Sequence, residues 1–113
     1  MKKNRKKLVY ISGKITGDDN YKQKFDEAAK LLSDFGFTPI NPTVICDPKW
    51  TYTKQMHTCL NTLFKCDAIY LLDDWRESRG ATAEYYVAEC LGIKKLFIKD
   101  TKKENKIHFE ITF

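Results

Sequence analysis

The residue whose type and setting most invite chemistry is Glu84. Its neighbours at i±3 and i±4 on a helical reading are Gly80, Ala81, Val87 and Ala88. A solvating glutamate does not belong among small apolar residues on a helix that packs against a sheet. The small side chains also leave room for a ligand above it, and the nearby helix N-terminus favours anions. A bland role is open too: the same carboxylate could pair with a lysine or arginine, or cap the first turn.

Asp73 and Asp74 follow the most apolar run of the chain. Either could bond a sugar hydroxyl or act as acid toward a departing base, and either could simply end a strand, as Asp commonly does. Ser12-Gly13 and Ser78-Arg79-Gly80 offer hydroxyls, backbone N–H groups and close approach, an inventory suited to a phosphate or a sugar. Neither stretch is a dinucleotide fingerprint or a P-loop. Trp50, Tyr52 and Trp75 fall in predicted loops, where they could stack on a base or pack on the domain surface. His57 and His108 stand alone and receive no role.

The elements that must position these residues alternate. Lys7–Ser12 reads as a buried strand ending at Gly13, and a helix follows from Tyr21 to Phe35, closed by Gly36. Phe37–Ile40 is a short strand that Pro39 either holds to a sheet edge or ends early. Asn41-Pro42 opens a long connection to a second helix, Thr53–Phe64. Asp67–Leu72 is the clearest buried strand, and Trp75–Arg79 is a polar loop. Gly80–Leu91 forms a third helix, with Gly92 closing it, and Lys95–Ile98 a fourth strand. The alternating tail from Ile107 to Phe113 predicts one more strand, on a sheet edge or against another subunit. This rhythm predicts a doubly wound, mostly parallel α/β sheet of four to five strands flanked by helices, flavodoxin- or Rossmann-like. In such sheets ligands bind at the carboxyl ends of the strands, beside Ser12, Ile40 and Asp73.

Composition sets the bounds. The 113 residues suit one domain, 8–113, behind a basic leader, 1–7, whose five cations account for the whole net charge of +5. A nucleic-acid reader would carry that charge on its folded surface, so no nucleic-acid partner is expected. The apolar run Leu8–Ile11 is too short for an export signal, and no stretch approaches the ~20 apolar residues of a membrane span. Cys46, Cys59, Cys66 and Cys90 show neither a disulfide framework nor zinc spacing, which fits a reducing cytoplasm and predicts no metal.

With these residues in view, the chain resembles the nucleoside 2-deoxyribosyltransferase-like superfamily, in its branch of small phage and bacterial proteins described as a domain of unknown function (DUF4406-like). Tyr10-Ile11-Ser12-Gly13-Lys14-Ile15-Thr16-Gly17 is similar to the family's opening "YISGPITG" run, and Ile40-Asn41-Pro42 to its "INP". Cys66 through Leu72, then Trp75, Ser78-Arg79-Gly80-Ala81 and Glu84, resemble its "CDAIYLLPGWEKSRGAxxE" core. Lys14 stands where the pattern has proline, and Asp73-Asp74 where it has Pro-Gly.

The resemblance implies cleavage or transfer at the N-glycosidic bond of a nucleoside or (deoxy)nucleotide, by an N-glycosidase or a deoxyribosyltransferase. Glu84 would be the nucleophile, Tyr10 its hydrogen-bond partner, and Asp73 the aspartate near the sugar and leaving base, with Asp74 as the alternative. Ser12, Gly13, Trp75, Ser78, Arg79 and Gly80 would complete the substrate site. No cofactor is implied, and the family suggests a homodimer or larger homo-oligomer. The departures at Lys14 and Asp73-Asp74 keep a second reading open: a module that binds a nucleotide derivative without turning it over.

Overall fold

The computed structural model describes residues 6–101 and 106–112, with side-chain surroundings for 6–97. Residues 1–5 of the basic leader, and the side chains of the tail including His108, lie outside that description. Five strands form one sheet in the order β2-β1-β3-β4-β5. β1 (Leu8–Ser12), β2 (Thr38–Ile40), β3 (Ala68–Leu71) and β4 (Lys94–Thr101) run parallel. β5 (Lys106–Thr112) closes the far edge antiparallel to β4, so the alternating tail pairs within the chain's own sheet.

Each element follows from its sequence. β1 and β3 are central and covered on both faces, which is why they read as unbroken apolar runs. β2 tolerates Pro39 because it is the edge strand. On one face lies α1 (Tyr21–Asp34), which buries Phe25, Ala28 and Leu32 against Val9 and Ile11. On the other lie α3 (Tyr52–Leu63) and α4 (Arg79–Leu91), packed on Tyr10, Ile69 and Leu71.

Two connections differ from the sequence expectation. The long stretch after Asn41 contains a short helix, α2 (Pro42–Ile45), capped by the Asn41 side chain with proline in the first turn. The expected polar loop is a 3-10 turn, Trp75–Glu77, whose tryptophan is buried. Local chemistry also fixes the ends of α4. Ser78 accepts from the Ala81 N–H at 3.1 Å, and Gly92 ends the helix in the left-handed region, φ 71°.

The chain visits β2 on one side of β1 and then β3 on the other. The topological switch, and with it the expected crevice, therefore lies at the carboxyl ends of β1 and β3. Among the described residues no helix is long and apolar enough to cross a membrane.

Candidate active site

The buried stripe of α4 is Ala81, Glu84 and Ala88, spaced as one helical face. Glu84 thus occupies a core position, 6% exposed, and the small residues on either side bring the helix close to the sheet. Side chains alternate along a strand, so Tyr10 and Ser12 share the face of β1 that looks toward α4, while Val9 and Ile11 look toward α1. The Tyr10 hydroxyl donates to Glu84 Oε2 at 2.6 Å, and the Ser12 hydroxyl donates to Oε1 at 2.7 Å. Each carboxylate oxygen is held by one neutral donor and keeps a lone pair free.

No cation among the described residues offsets this charge. Burial pushes the Glu84 carboxyl up from 4.5 to about 7, and the two hydroxyl donors only partly oppose that. Tyr10 is held well above the usual phenol range, first by burial and then by the neighbouring carboxylate. The Cys59 thiol lies against the Tyr10 hydroxyl, and burial pushes it up to about 12. Its sulfur is 3.4 Å from that of Cys46.

Glu84 and Tyr10 face a cavity of about 440 Å³ at the carboxyl end of β1. One wall is the first turn of α4, with Ser78, Arg79 and Gly80. A second is one face of α3, with Tyr52, Gln55, Met56 and Cys59 at i, i+3, i+4 and i+7. The loop after β1 supplies a third through Gly13, Ile15 and Thr16. Gly13 is required by crowding: a Cβ there would stand 2.7 Å from Leu72 Cδ1 and 2.9 Å from its Cβ. The Arg79 guanidinium lies 4.5 Å from the centre of the Tyr52 ring.

Several expected site residues are placed elsewhere. Ser12 stands behind Glu84 and holds it, off the cavity wall. Asp73 is exposed and does not line the cavity. Asp74 accepts from the Lys14 N–H at 3.0 Å and is ion-paired with Lys24, so its carboxylate is committed outside the cavity. Trp75 is 7% exposed and stacked on Tyr85 at 4.3 Å, because the 3-10 turn drives its ring into the core rather than onto a rim. His57 is exposed and Trp50 does not line the cavity.

Residues the sequence reading passed over are Gln55, Met56 and Cys59 of the α3 face, Lys24, and Glu77, which lines the cavity and lies 3.9 Å from Lys14 Nζ. Helical spacing from Tyr52 could have found the first three. The changes at 14 and 74 also meet in one bond. A proline at 14 has no N–H to give, and a glycine at 74 has no carboxylate to receive it.

No group of three or more His, Cys, Asp or Glu side chains among the described residues could hold a metal ion. The site is a pair of neutral hydroxyls presenting one buried carboxylate to a cavity.

The α/β architecture is the fold of solved 2-deoxyribosyltransferases. Residues 7–97 match the family described as a domain of unknown function (DUF4406), and the chain is a member of that family. A 2-deoxyribosyltransferase from the psychrotolerant bacterium Bacillus psychrosaccharolyticus aligns with a TM-score of 0.65 and 17% identity, over 84% of this chain and 74% of its own. A 2-deoxyribosyltransferase from Leishmania mexicana aligns at 0.64 and 20% identity, over 84% of this chain and 65% of its own. At these identities the likeness establishes the fold. No curated protein sequence matches the chain significantly.

Proposed function

We propose that the protein breaks the N-glycosidic bond of a nucleoside or (deoxy)nucleotide, with Glu84 as nucleophile. The observation that carries this reading is the buried carboxylate, held by Tyr10 and Ser12 with no cation beside it among the described residues, on the wall of a cavity sized for a small molecule. A carboxyl poised at about 7 can be ionised near neutral pH and is weakly solvated, as a nucleophile should be.

In the first step a Glu84 oxygen bonds to the anomeric carbon as the carbon–nitrogen bond breaks. The electron pair leaves with the base, which takes up a proton. The positive charge that develops on the sugar is stabilised by the carboxylate beneath it. In the second step water, or the nitrogen of another base, attacks the same carbon, gives its proton to the carboxylate that served as acid, and releases Glu84. Water makes the protein a hydrolase and a base makes it a transferase.

The leaving base needs an acid. Glu77 is the carboxyl side chain other than Glu84 on the cavity lining, so in this reading the acid role expected of Asp73 passes to Glu77. Arg79 supports a phosphorylated substrate, since it lines the cavity and its guanidinium is braced on Tyr52.

The test is incubation with a panel of ribo- and 2-deoxyribonucleosides and their 5′-monophosphates, with chromatography of released base. Base should appear with the native protein and not with Glu84→Gln. Release that survives the substitution refutes the nucleophile. Failure of the whole panel, alongside calorimetric binding of one of its compounds, replaces the reading with a binding module.

A further inference from the structure

The cavity's third wall is a loop, and what holds it lies outside the cavity. Lys24 projects from the first turn of α1, and its ammonium makes three contacts: the Lys14 carbonyl at 2.9 Å, the Asp18 carboxylate at 2.6 Å, and the Asp74 carboxylate. These use all three of its donors. The other oxygen of Asp74 accepts from the Lys14 N–H at 3.0 Å. The backbone of one residue, Lys14, is therefore gripped on both sides, its N–H by Asp74 and its C=O by Lys24, and the two gripping side chains are joined to each other. The ring ties together the loop after β1, helix α1 and the turn after β3. About a quarter of each gripping side chain is exposed, so water screens this pairing less than it would a surface ion pair. Neither Lys24 nor Asp74 lines the cavity, but Gly13, Ile15 and Thr16, on either side of the gripped residue, do.

We propose that Lys24 and Asp74 are positioning residues that clamp the Lys14 backbone and so set the Ile15–Thr16 wall against which the substrate seats. The proposal rests on the site assignment above only in naming what the wall serves. The clamp acts on binding and not on the reacting carboxylate, because the two Glu84 contacts arise from β1 residues upstream of the gripped residue. Glu77 is the further charge facing the loop, at 3.9 Å from Lys14 Nζ, and it adds a weaker tether from the turn side.

The experiment compares Lys24→Met, Lys24→Arg and Asp74→Asn by amide hydrogen exchange and by steady-state kinetics. Lys24→Met should speed exchange at the hydrogen-bonded Lys14 and Asp18 amides about tenfold, the scale of one hydrogen bond to a charged group, and leave the amides of β3 unchanged. KM should rise by about the same factor with kcat within roughly threefold, since only ground-state seating is lost. Lys24→Arg should recover most of both effects. Asp74→Asn keeps the shape of the side chain and should still speed exchange at the Lys14 amide, which covers the case where Lys24→Met does not fold. Unchanged exchange at the Lys14 and Asp18 amides in the folded variants overturns the clamp. So does a loss in kcat with KM intact. Exchange requires no turnover, so a native protein that releases no base would sink the catalytic reading while the exchange data still judged the clamp.

Discussion

Replacing Glu84 by glutamine should abolish turnover and make the protein more stable, and the stability gain should depend on pH in a definite way. In the folded protein the Glu84 carboxyl sits at about 7, against 4.5 when it is free of the fold, because burial penalises its charged form. Below pH 4.5 both folded and unfolded chains carry the proton and burial costs nothing extra. As pH rises from 4.5 the unfolded chain releases its proton first, so stability falls. It levels off once the folded protein ionises, near pH 7. The accumulated loss is about 3 kcal/mol, at ~1.4 kcal/mol for each tenfold change in proton affinity.

Glutamine has the same outline and does not titrate. Its oxygen can accept from Tyr10, and its amide can donate to a rotated Ser12 hydroxyl, so no buried polar atom is stranded. The advantage of Glu84→Gln over the native protein should therefore grow by up to about 3 kcal/mol between pH 4.5 and pH 8. For a domain of this size that is on the order of 10 °C in Tm at pH 8. Calorimetric melting of both proteins at three pH values, with urea unfolding as a check, measures it. A melting difference constant across that range would refute the argument that Glu84 is buried without a compensating charge.

Three further outcomes follow from the same geometry. Tyr10→Phe removes a donor that favours the charged carboxylate, so the Glu84 titration, followed by carbon NMR of the labelled side chain, should move up by about one pH or more; no movement would show that the phenol is idle. Gly13→Ala forces a methyl into Leu72 and should cost about 1–3 kcal/mol by urea unfolding, with a loss of turnover as the cavity wall shifts. In brief native alkylation at pH 8, exposed Cys90 should react first. Cys59, at about 12, and Cys66, at about 11, should stay unmodified by mass spectrometry, since a thiol at 11 is only roughly one-thousandth thiolate there.

The sequence by itself determined what depends on neighbours in the chain. The apolar runs of β1 and β3, the caps at Ser78 and Gly92, and the edge placement of the Pro39 strand are all local. So is the placing of Glu84 on the same helical face as Ala81 and Ala88, which marks it as a buried acid before any fold is known. Periodicity does not reveal who faces that acid: Tyr10 is implied only by the family resemblance, and Ser12 reads as a substrate contact. Tyr10 and Ser12 lie 74 and 72 positions away and meet it only because β1 is flanked by β3 and roofed by α4, with their alternation set by sheet register. Tertiary structure likewise took Trp75 into the core and carried Asp74, read from sequence as a substrate contact, to Lys24 fifty positions earlier. Spacing along the chain fixes the face on which a side chain emerges. What waits on that face is set by packing between distant segments, and sequence periodicity contains no measure of it.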